Sequence, residues 1–195
     1  MRALRYGLWA VAIVAVLVFA AGKFMGVTSI GAESANNFQP SFNLIDHRGE
    51  TVSEKTYRGK WLLTFLGFTN CPDVCPTTLS DIAIVMDQLG ADALDVAPLF
   101  ITIDPERDRV EDVAEYVSAF HPSITGLTGS ETQIEAAAKS FKAFFEKVPE
   151  ETMRDGYTMA HTSSLYLISP GGDFVRTYSF GSSPDNIARD LEARL

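Results

Sequence analysis

The stretch from Trp61 to Leu79, WLLTFLGFTNCPDVCPTTL, constrains the fold more than any other part of this 195-residue chain. It contains both cysteines of the protein. Trp61 to Phe68 is an apolar run of strand length, and from Thr77 onward apolar residues recur at helical spacing. Cys71 and Cys75 therefore lie between a buried strand and a helix, just ahead of the helix start. The unpaired N–H groups and positive dipole end of a helix N-terminus favour a thiolate, the form that attacks disulfides and binds metals. Two thiols at such a junction imply redox or metal chemistry.

The flanking pattern alternates. Phe42 to Ile45 and Thr51 to Ser53 read as a short hairpin turning at Gly49. A helix is predicted over Thr77 to Leu89, stopped by Gly90, and a second buried strand over Val96 to Ile103. Val110 to Phe120 and Glu131 to Phe141 read as helices, and Phe144 to Val148 as a short strand. Leu165 to Ile168 and Phe174 to Phe180 form a hairpin around Gly171-Gly172; Ser183 and Pro184 then open a last helix to Leu195. Strands alternating with helices, closed by an antiparallel hairpin and a helix, make an α/β sandwich around a mixed sheet. A redox-active strand-to-helix loop near the start of such a pattern points to a thioredoxin-like fold.

Ahead of this domain, Tyr6 to Gly22 carries no charge and covers about 25 Å as a helix, reaching bilayer thickness if it continues to Val27 with Lys23 snorkelling. Arg2 and Arg5 precede it and acidic residues begin only at Glu33, so the positive-inside bias puts the N-terminus in the cytoplasm and the domain outside. A cleaved signal peptide is the rival reading, with Ile30-Gly31-Ala32 a poor small-residue site; the length of the apolar stretch favours an uncleaved anchor. No cysteine follows the run to carry a lipid, and a run starting at residue 6 leaves no room for an Arg-rich transit peptide. These features favour a bacterial inner membrane and a periplasmic domain. The chain divides into residues 1–27 as N-terminal residues and anchor, 28–40 as linker and 41–195 as one globular domain. Removing Arg2, Arg5 and Lys23 from 16 basic residues leaves 13 against 25 acidic ones, a net charge of −12. Such a surface repels nucleic acid, and tolerates a cationic partner or metal ions.

Cys71 and Cys75 are separated by three residues, one more than in the C-x-x-C of ordinary thiol-disulfide oxidoreductases. The wider loop is compatible with both sulfurs turning toward one metal, and two thiolates suit Cu(I), or Zn(II) if more ligands are found. A structural disulfide closing so short a loop removes little unfolded-state entropy, which makes it the weaker motive. A third ligand is sought among three histidines. His47 lies in a polar turn and reads as an exposed surface residue; His121, between Phe120 and Pro122, reads as a C-terminal helix cap. His161 precedes the apolar strand Leu165 to Ile168, on the segment that faces the cysteine loop in a thioredoxin-like fold. It is the candidate ligand, with a packing histidine as the alternative. Met153 and Met159 read as core fillers. Asp104-Pro105-Glu106-Arg107-Asp108 reads as a solvated turn with a surface ion pair. Phosphate loops and a Ser-His-Asp arrangement are not evident.

Gly67-Phe68-Thr69-Asn70-Cys71-Pro72-Asp73-Val74-Cys75-Pro76-Thr77-Thr78-Leu79 resembles the signature of the Sco/SenC/PrrC copper-chaperone proteins. Ile103 to Asp108, Gly126 to Gly129 and Ala160 to Ser164 resemble that family's later motifs. The resemblance implies a membrane-anchored thioredoxin-like domain with inserted elements, binding copper through Cys71, Cys75 and His161. It further implies assembly of the dinuclear copper centre in subunit II of cytochrome c oxidase, by handing over copper received from a donor protein or by reducing that subunit's cysteines. Members often carry Asp just before the histidine; here the residue is Ala160, which weakens any argument that a neighbouring carboxylate orients His161. The alternatives are a thiol-disulfide reductase using Cys71 and Cys75 as its redox pair, a more distant peroxidase-like activity, and a redox or copper sensor.

Overall fold

The computed structural model describes residues 38–195 except residue 154. The expected membrane anchor, residues 6–27, lies outside the described residues; among those described, no helix is long and apolar enough to cross a membrane.

Strands β1 (Asn43–Asp46) and β2 (Thr51–Ser53) form the expected antiparallel hairpin, and Ser53 caps a short 3₁₀ turn over Glu54–Tyr57. Then follow β3 (Trp61–Gly67), α1 (Val74–Leu89), a 3₁₀ turn over Gly90–Asp95 and β4 (Val96–Thr102). Next come α2 (Val110–Ser118), β5 (Thr125–Thr128) and α3 (Glu131–Ser140), whose N-terminus is closed by a capping box between Ser130 and Gln133. The chain ends with β6 (Phe145–Pro149), β7 (Tyr157–His161), β8 (Leu165–Ile168), β9 (Phe174–Tyr178) and α4 (Pro184–Glu192).

Seven strands form one mixed sheet in the order β2-β1-β5-β4-β3-β8-β9. β3 is an interior strand, parallel to the central β4 with Thr64 opposite Leu99, and antiparallel to β8 with Thr64 opposite Tyr166. Helices cover both faces of such a sheet, so β3 and β4 read as continuous apolar runs rather than alternating ones, and Leu63, Phe65, Leu99 and Phe100 are fully buried. α1 packs on α4, and α2 on β5. That second approach is close enough to require Gly126, because a Cβ there would lie 2.3 Å from Val113 Cγ1. The architecture is the expected thioredoxin-like one, with the β1–β2 hairpin and the β6–β7 pair added to it.

Four local expectations change. α1 begins at Val74 rather than Thr77, so Cys75 is inside its first turn and only Cys71 precedes the helix. The apolar spacing that marks the helix begins only after Pro76, and Pro76 itself fits the first helical turn, which has no use for its missing N–H. β5, the four residues TGLT, reads as no strand in sequence and owes its state to β4 and β1 on either side. The strand expected over Phe144 to Val148 exists as β6, yet it pairs only with β7 in a separate two-stranded sheet. His161 ends β7, rather than sitting in a connection ahead of β8.

Candidate functional site

β3 delivers the chain at Gly67 to a tight turn in which the Cys71 N–H donates to the Phe68 carbonyl at 3.3 Å. Asp73 holds the N-cap position of α1, but its side chain makes no capping hydrogen bond. Cys71 Sγ does that work instead, accepting the Cys75 N–H at 3.4 Å. Both cysteines are free thiols, Cys71 partly exposed and Cys75 fully buried. Gly67 makes room for the second sulfur, since a Cβ there would come within 2.8 Å of Cys75 Sγ.

His161 arrives from β7. Its Nδ1 lies 3.0 Å from the Thr162 carbonyl oxygen, which can only accept, so in the neutral ring Nδ1 carries the hydrogen and Nε2 the lone pair. That Nε2 is 3.9 Å from Cys75 Sγ. Two aromatic rings hold the imidazole edge-on, Phe65 at 6.0 Å and Phe68 at 5.9 Å between centroids. Ligand bonds of about 2.3 Å to sulfur and about 2.0–2.1 Å to nitrogen put two ligands of one tetrahedral or trigonal ion about 3.6–3.8 Å apart. The observed spacing exceeds this by a few tenths of an ångström. Among the described residues, no three His, Cys, Asp or Glu side chains are already closed on a common metal position.

The two thiols differ in acidity. The Cys75 thiol donates to Cys71, and this bond, with smaller contributions from the Asp73 and Cys75 amides, overcomes burial and pulls Cys71 down to about 4. Cys75 is pushed far up by the same bond and by burial. The pair therefore shares one proton, held on the buried sulfur.

Asp104 to Asp108 is not a solvated turn. Asp104 is 3% exposed and Asp108 fully buried. Asp108 accepts from the Thr69 amide at 2.9 Å, the Thr69 hydroxyl at 2.5 Å and the Thr102 hydroxyl at 2.6 Å. Thr69 is two residues before Cys71, so this carboxylate holds the turn that presents the first sulfur. Burial outweighs the hydrogen bonds and raises the Asp108 pKa. The polar composition of the segment conceals this, because its partners come from β4 and from the turn after β3.

The other sequence candidates lie in structural roles. His47 is half-buried rather than exposed: its Nδ1 accepts the Gly126 N–H at 3.1 Å and its own N–H donates to the Gly126 carbonyl. His121 follows α2 without capping it; its Nδ1 contacts the Ser123 hydroxyl at 2.7 Å and its Nε2 lies 3.4 Å from Asp87. Met159 is buried in the core as expected. Ala160 is exposed on β7, and the Thr162 carbonyl orients His161 in place of a carboxylate. Gly67, Thr69, Phe65, Phe68, Asp108 and Tyr157 are site residues that local composition did not single out; the first four lie in or beside the cysteine stretch, which was the available signal.

Residues 31–195 match the family model described as SCO1/SenC. This chain belongs to that family. It is 42% identical over 159 residues to the mitochondrial SCO2 homologue of Bos taurus, a match covering 80% of this chain and 59% of the bovine protein. The chain thus spans less than two thirds of the length of that curated relative. The Bradyrhizobium japonicum ScoI structure with copper bound shares 39% identity at a TM-score of 0.74, covering 81% of this chain and 99% of that one. BsSco, described as having a disulfide switch and as a member of the Sco family of cytochrome c oxidase assembly proteins, shares 30% identity at a TM-score of 0.64, covering 81% of this chain and 94% of that one. These neighbours share the thioredoxin-like fold.

Proposed function

We propose that this chain is a copper metallochaperone that carries copper on Cys71, Cys75 and His161. The observation that carries the reading is the His161 Nε2 lone pair, facing Cys75 Sγ at 3.9 Å beside a Cys71 thiolate. Two soft sulfurs and one imidazole suit Cu(I), a small adjustment of either side chain brings them to bonding distance, and the copper-bound ScoI relative supports copper as the cargo. Cys71 reaches solvent and Cys75 does not, so an incoming target cysteine meets the site from the Cys71 side. Three ligands leave an open position through which it displaces them stepwise. The target of this reading is the dinuclear copper centre of cytochrome c oxidase subunit II, with BsSco's place among oxidase assembly proteins in support. Residues 6–27 would anchor the domain on the periplasmic side of a bacterial inner membrane.

A second reading is supported by the accessible Cys71, whose pKa is held down by its hydrogen bond from Cys75, beside the buried Cys75. As a thiol-disulfide reductase, the Cys71 thiolate attacks a target disulfide and expels one target thiolate. Cys75 then gives its proton to a departing thiolate and attacks Cys71 Sγ. The target leaves with both cysteines reduced, and Cys71–Cys75 holds the disulfide. A reductase needs only the two cysteines, whereas a chaperone needs the imidazole. Titrating Cu(I) into the reduced chain and into His161→Ala separates them: the chaperone reading expects at least about tenfold weaker binding by the variant. Equal copper affinity, with both proteins reducing a cysteine-bearing target equally well, sinks the chaperone reading.

A further inference from the structure

His161 is carried on a two-stranded sheet that shares no ladder with the seven-stranded sheet holding the cysteines. Only the three-residue link from His161 to Leu165, which pairs with Phe65 of β3, ties the imidazole to that sheet through the chain. The far end of β7 needs a second tie, and the loop Asp104–Asp108 touches both halves. On one side, Asp108 accepts from the Thr69 amide and hydroxyl. On the other, the Tyr157 hydroxyl at the start of β7 donates to Asp104 Oδ1 at 3.0 Å. Arg107 Nε donates to Asp104 Oδ2, and its Nη1 donates to the Tyr157 carbonyl at 3.3 Å. The Arg107 guanidinium lies 3.8 Å above the Tyr157 ring and 5.9 Å from the Phe68 ring, which itself meets His161 edge-on. Asp104 and Arg107 are 4% and 11% exposed in their side chains, so these bonds are largely shielded from water.

We propose that Tyr157, held by Asp104 and Arg107, is the positioning residue for His161, and that the Asp104–Asp108 loop is the spacer that fixes the imidazole relative to the two sulfurs. The proposal rests on the three-ligand reading above. Tyr157 and His161 are the two ends of one strand, about 13 Å apart, so anchoring the first residue restrains the swing of the last. Tyr157 touches no reacting atom and acts only through the strand.

The test is a double-mutant cycle on the reduced, full chain, with Cu(I) affinity measured by competition against a chromophoric chelator. Tyr157→Phe removes the hydroxyl and keeps the ring under Arg107. It is expected to weaken Cu(I) binding about tenfold, in the range found when partners behind a metal ligand are removed. In a His161→Ala background the same change is expected to have no effect. X-ray absorption of the Cu(I)-loaded Tyr157→Phe chain is expected to show reduced nitrogen scattering with sulfur scattering retained. Equal losses in both backgrounds would make Tyr157 a general fold contact, and no loss beside native His161 would make it idle; either result overturns the proposal. If His161→Ala alone leaves affinity unchanged, the three-ligand reading has failed first and the positioning role falls with it. Should Tyr157→Phe not fold, Arg107→Lys serves in the same cycle, because it keeps the charge and loses the simultaneous grip on Asp104 and the Tyr157 carbonyl.

Discussion

The unequal acidity of the two thiols makes a measurable claim about Cys71. Its titration near 4 rests first on the hydrogen bond donated by Cys75. An ordinary thiol with a pKa near 8.5 is about 3% ionised at pH 7, whereas Cys71 is ionised almost completely, a gain of about 30-fold in thiolate. Nucleophilicity falls with basicity by a Brønsted slope of about 0.4–0.5, so a thiolate some 4.5 units less basic reacts about 100-fold more slowly. The two effects nearly offset each other at neutral pH. Absolute reactivity is therefore a poor readout and the midpoint of the pH profile a good one. Iodoacetamide labelling of the reduced, metal-free chain, quantified at Cys71 by peptide mass, is expected to give a midpoint below about pH 5. Cys75→Ala, which removes the main donor, should move that midpoint up. A native midpoint above pH 7, or one that Cys75→Ala does not shift, would refute the shared-proton description of the pair.

Two other perturbations address the frame around the sulfurs. Asp108→Ala leaves a buried amide and two hydroxyls without their acceptor; at about 1–3 kcal/mol for each stranded group, with the hydroxyls free to re-aim, we expect a loss of about 3–5 kcal/mol in urea unfolding. Asp108→Asn keeps an acceptor and should cost much less. Because burial holds the folded carboxyl above its unfolded value, its contribution to stability is full below about pH 3.9 and is lost as pH rises through the folded value. The Asn variant should lack this decline, and an unchanged pH slope would contradict it. Gly67→Ala drives a methyl to 2.8 Å from both Cys75 Sγ and Phe65 Cε1, which are fully buried. Overpacking of this kind costs about 1–3 kcal/mol and should displace the second sulfur, so thermal unfolding and Cu(I) affinity should fall together. Native copper affinity in a destabilised Gly67→Ala chain would show that the sulfur does not move.

What could be read from sequence followed how local each signal was. The apolar run of β3 and the helical spacing of α1 are local, so the strand-to-helix setting of the cysteines is legible. The start of α1 is not, because Pro76 carries the same letter whether it breaks a helix or sits in its first turn. His161 is legible as a partner of the cysteine loop, but it gets there on β7, which among the described residues forms a ladder with β6 alone. Asp108 is the clearest concealed residue. Its segment is as polar as any surface turn, and its burial depends on Thr69, 39 residues earlier, folding over it. His47 is hidden in the same manner, since its partner Gly126 is 79 residues away on a strand too short to announce itself.

The difference in burial between the two cysteines also imposes an order on either chemistry. An approaching cysteine or disulfide reaches Cys71 first, because Cys71 is partly exposed and Cys75 is not. Cys71 is already ionised at neutral pH and so needs no base to act. Cys75 is buried and its pKa is pushed up, so it cannot take part as a thiolate until its proton departs. A metal bound by both sulfurs would displace that proton directly, and a mixed disulfide at Cys71 would remove the thiolate that holds it in place. On either proposed reading the chemistry would pass through the same gate, the loss of one proton from a buried sulfur. In the reductase reading the proton leaves with the departing target thiolate, and in the chaperone reading the arriving metal displaces it, so only the second requires His161.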